Sequence, residues 1–139
     1  MTAELEDVKI NVKIKLSALW ITAMLCYAYG DILAFMQPGA IEDLIMEKGA
    51  GGIPITQVSL LGIAISMAIP SVMIFLSLTL KPIANRWANI ILGIFYTCFV
   101  ALVGFGVETS YYFMFLSIVE IVLTALIVWN AWKWPRHEA

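Results

Sequence analysis

The sequence predicts an all-α membrane protein: a four-transmembrane-helix bundle with both termini cytoplasmic and a short amphipathic outer helix between spans 1 and 2. Three observations predict it. The chain is 62% hydrophobic and only 13% charged, with a mean hydropathy of +0.92, whereas soluble domains run about 45–50% apolar and about 25% charged. Four apolar stretches are long enough to cross a bilayer, for which about 20 helical residues suffice. Lys and Arg, finally, gather at alternate ends of those stretches, and this bias sets orientation.

The spans read as residues 14–36, 57–80, 87–107 and 111–132, within one membrane domain over 1–139. A backbone in lipid must satisfy its own polar groups, so each span is expected to be a helix. The opening "MTAELEDVKINVKIK" is polar and mixed in charge, unlike the basic n-region of a signal peptide, so the first span is expected to be retained. Within it, "VKINVKIK" alternates with period 2, the mark of a strand in isolation. Beside a membrane it reads instead as an interfacial or extended helix. Lys9, Lys13 and Lys15 would then attract anionic lipid headgroups, at about 1 kcal/mol each.

The first connection, "MQPGAIEDLIMEKGAGGIPIT", is the longest. Pro38-Gly39 reads as a turn. Ile41, Leu44 and Ile45 then share one face of a short helix, with Glu42, Asp43 and Glu47 off it. Such a helix lies on the outer membrane surface or caps the bundle, and "GAGG" at 49–52 reads as a flexible return. A plain connector and a lid over an outward-facing cavity both fit. The other connections, "LKPIANRW" and "GVETSY", are short, so neighbouring helices should run antiparallel.

Seven basic residues (Lys9, Lys13, Lys15, Lys81, Arg86, Lys133 and Arg136) fall on one side, and Lys48 alone falls on the other with Glu42, Asp43, Glu47 and Glu108. By the positive-inside rule the first side is cytoplasmic. Trp87, Trp129, Trp132 and Trp134 cluster at that interface as anchors.

Several function classes are excluded or disfavoured. A net charge of -2 offers no basic stripe for nucleic acid. Cys26 and Cys98 lie in apolar spans without CxxC spacing, which predicts buried inert thiols and neither a disulfide nor a zinc site. The one histidine, His137, is in the tail, which leaves no haem or His-ligated metal inside the bundle. No phosphate loop or catalytic triad is present, so no cofactor and no enzymatic activity are expected.

The spans do carry acids. Glu120 lies ten residues past Ser110, about 15 Å deep at 1.5 Å per residue. A charge there costs about 2.5–3.5 kcal/mol. Eleven Leu, Ile, Val and Phe residues on the same helix contribute roughly 3–6 kcal/mol, so the helix still inserts. Ser110, Ser117 and Thr124 share its face by steps of 7, 3 and 4, so the stripe should point into the bundle. No Lys, Arg or His occupies that depth. Glu120 is therefore expected as the neutral acid, donating to a backbone carbonyl, a hydroxyl or Tyr96. Two readings follow: a proton or cation carrier (or the counter-charge of a cationic ligand), and a neutral interhelical hydrogen bond of about 0.6 kcal/mol.

Asp31 is the second acid, near the outer end of span 1, preceded by Trp20, Met24 and Tyr27 at spacings of 11, 7 and 4. It is either the outer mouth of a path to Glu120 or an interfacial residue reaching headgroups or Lys48. In span 2, Ser59, Gly62, Ser66 and Ser77 form small-residue steps that permit close helix approach. Pro70 frees the carbonyl of Ser66 and is expected to kink the helix, as a hinge or as a matter of packing shape. That carbonyl is a candidate acceptor for the Glu120 proton or an ion ligand. Span 3 carries Asn85, Asn89, Gly93, Thr97 and Ala101 at four-residue steps, with Asn89 as a structural residue and Tyr96 near the midplane.

The stretches "LSALWITAMLCYAYGDI", "AIPSVMIFLSLTLKPIANRWANIILGIFYT" and "EIVLTALIVWNAWKWP" resemble a prokaryotic family of small four-helix integral membrane proteins of unknown function. The resemblance spans nearly the whole chain, is most specific in "LTLKPIANRWANIILG", and places Asp31, Asn85, Arg86, Trp87, Asn89 and Glu120 in its recognisable stretches. It implies the four-helix fold and a multi-pass place in a prokaryotic cell membrane, and brings no activity. The expected function is small ion or solute transport, or ligand binding, centred on Glu120. Asp31, Tyr96, Ser66, Ser117 and Thr124 would assist, in a homo-oligomer such as a two-fold dimer. The alternative is a non-catalytic helper that binds lipid or a membrane partner.

Overall fold

The structure is a computed structural model that describes Leu5, residues 7–106 and residues 110–136. Among the described residues there are four long α-helices and one short one: α1 (Val12–Phe35), α2 (Ala40–Ile45), α3 (Gln57–Thr79), α4 (Pro82–Gly106) and α5 (Tyr111–Trp132). The four long helices are long and apolar enough to cross a membrane. Their bounds fall close to the expected spans except at α4, which begins five residues earlier than expected. Pro82 explains the difference. At the first helical position its fixed φ and missing N–H cost nothing, so the helix starts directly after Lys81. Most of "LKPIANRW" is helix, and only Leu80 and Lys81 connect α3 to α4.

The strand-like alternation near the start does not make a strand. Asn11 caps α1 by accepting from the Lys13 amide at 2.9 Å, so Lys13 and Lys15 belong to its first turn. Lys13 then reaches across to α3, donating to the carbonyls of Leu80 at 2.8 Å and Leu78 at 3.3 Å. These are carbonyls that a helix end leaves without partners. Of the three lysines expected on anionic lipid, Lys13 is thus engaged within the protein.

The buried positions follow a common rhythm. On α1 they are Leu16, Ser17, Trp20, Ala23 and Gly30, and on α5 they are Ser117, Glu120, Thr124, Ile127 and Ala131. Steps of three and four residues keep one stripe toward a neighbouring helix, the knobs-into-holes pattern of left-handed bundles. α4 contributes Asn85, Asn89, Gly93, Tyr96, Val100 and Gly104. α1 packs against both α3 and α5, and α5 packs closely on α4, while α3 and α4 meet sparsely. Between these last two runs an apolar groove of about 310 Å³, lined by Ala68, Ile69, Val72, Met73, Leu76 and Leu92.

Helix α3 departs from expectation. Its fully buried residues are Pro70, Met73 and Ser77, all in the half near Lys81. Of the small-residue steps, Ser59 forms a capping box with Thr56, and a Cβ added at Gly62 would meet nothing within 4 Å. Ser66 turns its hydroxyl back to the Ile63 carbonyl at 2.7 Å. Close approach along that stripe does not occur, because residues 57–65 of α3 are nearly all exposed. Only Ser77 is used in packing.

The segment between α1 and α3 is ordered by its backbone. Gly49 donates to Ile53 at 2.7 Å and Ile55 to Glu47 at 2.8 Å, closing an antiparallel bridge between Lys48 and Pro54. The "GAGG" return is a 3₁₀ turn in which Gly51 and Gly52 adopt φ of 69° and 75°, which glycine does at no steric cost. α2 buries none of its residues. Ile41 and Ile45 are exposed, so α2 does not cap the bundle with an apolar face.

Candidate intramembrane acid site

The site forms where α5 faces α1. Glu120 occupies a core position of α5 and is 7% exposed. Across the interface, Gly30 lets the helices approach: a Cβ there would lie 3.5 Å from the Leu116 side chain of α5. Tyr27 precedes Gly30 and Asp31 follows it, four residues apart on α1, so both lie on one side of that helix. Glu120 is within Coulombic reach of Asp31, Tyr27 and Cys26, and Tyr27 in turn of Tyr96 on α4.

One feature of this cluster matters chemically. Among the described residues two buried polar side-chain atoms lack a hydrogen-bond partner, the Tyr27 hydroxyl in this cluster and Arg86 Nε at the other end of the bundle; the Glu120 carboxyl is not one of them. Native interiors satisfy the great majority of such groups, and an unmet one costs about 1–3 kcal/mol. Asp31, by contrast, is exposed on the bundle surface, about 6 Å from the end of α1 at four residues from Phe35.

The other predicted site residues are placed elsewhere or are engaged. Tyr96 is buried, but its hydroxyl donates to the Ser66 carbonyl at 2.7 Å. This is the carbonyl that Pro70 deprives of its helical donor. It is therefore not free for the Glu120 proton, and Tyr96 is not the partner of Glu120. α3 itself runs unbroken through Pro70. Thr124 accepts from Thr97 at 2.8 Å and donates to the backbone of its own helix. Ser117 lies against Gly104, where a Cβ would come within 2.6 Å of its hydroxyl. The stripe of Ser117, Glu120 and Thr124 does point inward, with Ser110 half-buried at its end. Ser117 and Thr124 serve contact with α4.

A second polar cluster, nearer Lys81, is fully satisfied. Asn89 accepts from the Trp20 indole at 2.7 Å and from Ser77 at 3.3 Å, and donates to Asn85 at 2.7 Å. Asn85 donates to the Ser77 carbonyl at 2.6 Å. Trp20, Ser77, Asn85 and Asn89 are all 0% exposed, and together they pin α1, α3 and α4. Asn89 is structural, as expected. Its partners went unforeseen, since Trp20 reads in sequence as part of the Asp31 stripe. The four-residue spacing of Asn85 and Asn89 was the available signal.

The basic end is finished by aromatic contacts. Arg86 lies 5.9 Å from the Trp87 ring and 5.8 Å from that of Trp132, and Lys133 sits 4.0 Å over Trp129. Lys13, Lys15, Lys81, Arg86 and Lys133 all fall at this one end. Both cysteines are free, but Cys98 is exposed on α4 and Cys26 half-buried, so the expectation of two buried thiols is corrected: Cys98 lies off the inward stripe of its helix. Among the described residues no group of His, Cys, Asp and Glu has the arrangement to hold a metal. His137 and Glu108 lie outside the described residues.

A family described as a family of unknown function, DUF6326, matches the chain over residues 5–139. No curated protein matches the chain, and no solved structure does.

Proposed function

The chain belongs to the DUF6326 family of unknown function, and from the geometry we propose that it is a proton-binding membrane protein whose working group is Glu120. One observation carries the reading: Glu120, a residue only 7% exposed, sits in the α1–α5 interface where the buried hydroxyl of Tyr27 has no hydrogen-bond partner. A packing hydrogen bond would join such a hydroxyl to a fixed partner, as Tyr96 is joined to Ser66. An acid held in hydrocarbon marks a proton or ion path.

The shape of the bundle favours the proton over a larger solute. The groove between α3 and α4 and a second one between α1 and α5 have no lining residue in common with the Glu120 cluster. Asp31, exposed on α1 one turn beyond Tyr27, is the outer station in this reading. The basic end of the bundle faces the cytoplasm under the positive-inside rule, and the membrane is the prokaryotic cell membrane. No catalytic role is assigned.

Vesicles reconstituted with the protein and given a pH step are the test. Wild-type protein is expected to pass or take up protons, with Glu120→Gln abolishing the signal and Asp31→Asn slowing it. A proton signal that survives Glu120→Gln unchanged overturns the reading. The helper alternative predicts something different: no proton signal from wild-type protein, and a Glu120→Leu variant at least as stable as wild type, because an apolar side chain then fills a packed core position.

A further inference from the structure

We infer that the groove between α1 and α5, at the basic end of the bundle, binds an anionic phospholipid, with the phosphate at Lys15 and Asn130 and an acyl chain over Ala18, Leu19 and Thr22. These five residues line a cleft of about 290 Å³. Its two ends differ in chemistry. Lys15 lies in the first turn of α1 and Asn130 in the last turn of α5, which is headgroup depth for helices of this length. Ala18, Leu19 and Thr22 continue one and two turns inward, and the Thr22 hydroxyl is turned back on the Ala18 carbonyl at 2.9 Å. The deep end therefore offers an apolar floor without an open polar group.

Charge selects the occupant. Lys9, Lys13, Lys15, Lys81, Arg86, Lys133 and Arg136 lie at this end with Asp7 as the one described acid. Several of these cations are already engaged: Lys13 on the end of α3, Arg86 with Trp87 and Trp132, and Lys133 on Trp129. Lys15 has no such partner among the described residues and stands at the mouth of the cleft. Lys133, three residues beyond Asn130, adds positive charge on the same face of α5. The amide of Asn130 uses one hydrogen on the Leu126 carbonyl at 2.8 Å and keeps a second for a phosphate oxygen. Zwitterionic lipid shares the apolar fit and lacks the net charge.

Native mass spectrometry of the detergent-solubilised full chain, titrated with phosphatidylglycerol or with phosphatidylcholine, tests the site. Phosphatidylglycerol is expected to be retained preferentially. Lys15→Gln should weaken it about five-fold, the ratio corresponding to ~1 kcal/mol for one lysine near the surface. Ala18→Phe, an exposed position that fills the cleft without touching a charge, should displace the lipid, and Lys9→Gln should leave it bound. Equal loss from Lys9→Gln and Lys15→Gln would mean diffuse attraction to the whole basic end and overturns the site. Equal binding of the two lipids, or an Ala18→Phe variant that binds normally, overturns it as well.

Discussion

The contact between α4 and α5 yields the sharpest test of the fold, because one substitution, Gly→Ala, has opposite expected signs at different places. At Gly104 an added Cβ would lie 2.6 Å from the Ser117 hydroxyl oxygen and 2.7 Å from its Cβ. Relaxed contacts between such atoms fall near 3.5–4.0 Å, so the helices must part by roughly 1 Å. Overpacking of that kind costs about 1–3 kcal/mol. At Gly93 the new Cβ would meet Val128 at 2.7 Å and the Thr124 carbonyl oxygen at 3.4 Å; a β-branched side chain is stiff, and a loss of similar size is expected. At Gly62 nothing lies within 4 Å, so Ala should gain up to ~1 kcal/mol of helix propensity. Unfolding in mixed micelles, followed by far-ultraviolet circular dichroism against rising sodium dodecyl sulfate, ranks the three. Adding Ser117→Gly to Gly104→Ala removes both clashing atoms and should recover most of the loss. Should Gly104→Ala prove as stable as Gly62→Ala, or should Ser117→Gly fail to restore it, the close approach of α4 and α5 is wrong.

Two further outcomes are expected. Asn89→Leu strands the Trp20 indole, which now donates at 2.7 Å, and should cost about 1–3 kcal/mol; combined with Trp20→Phe it should cost about 1 kcal/mol less than the sum of the two, and strict additivity in the unfolding titration would deny the pair. Tyr96→Phe leaves the Ser66 carbonyl without the donor it has at 2.7 Å, for a loss of about 1–2 kcal/mol; Pro70→Ala supplies a backbone N–H to that same carbonyl and should offset it, whereas a further loss in the double variant would show that Pro70 and Tyr96 act independently.

Much of this architecture was legible in the residues because a bilayer admits few solutions. Hydrocarbon forces a backbone to close its hydrogen bonds within each span, so length and hydropathy nearly determine α1, α3, α4 and α5. The inward stripe of Ser117, Glu120 and Thr124 was equally readable, since polar groups at heptad spacing have only one favourable side to face. What escaped was pairing. Whether Tyr96 meets Glu120 or Ser66 depends on how α3 leans on α4, and no periodicity within one helix encodes that lean. The small residues at Ser59, Gly62 and Ser66 misled for the same reason: they permit close approach without supplying a neighbour. Pro82 shows a narrower limit. Read as part of a loop, it is the first residue of a helix, and proline suits both roles.

The uneven seating of α3 has one more consequence. Pro70, Met73 and Ser77 are held against protein and Ser66 is tethered by Tyr96, while residues 57–65 before them are nearly all exposed. A change in acyl-chain length or saturation therefore acts on most of the circumference of that first stretch, and farther along on the outer face that carries Val72, Phe75 and Leu78. Within this helix, bilayer composition thus weighs most heavily on residues 57–65.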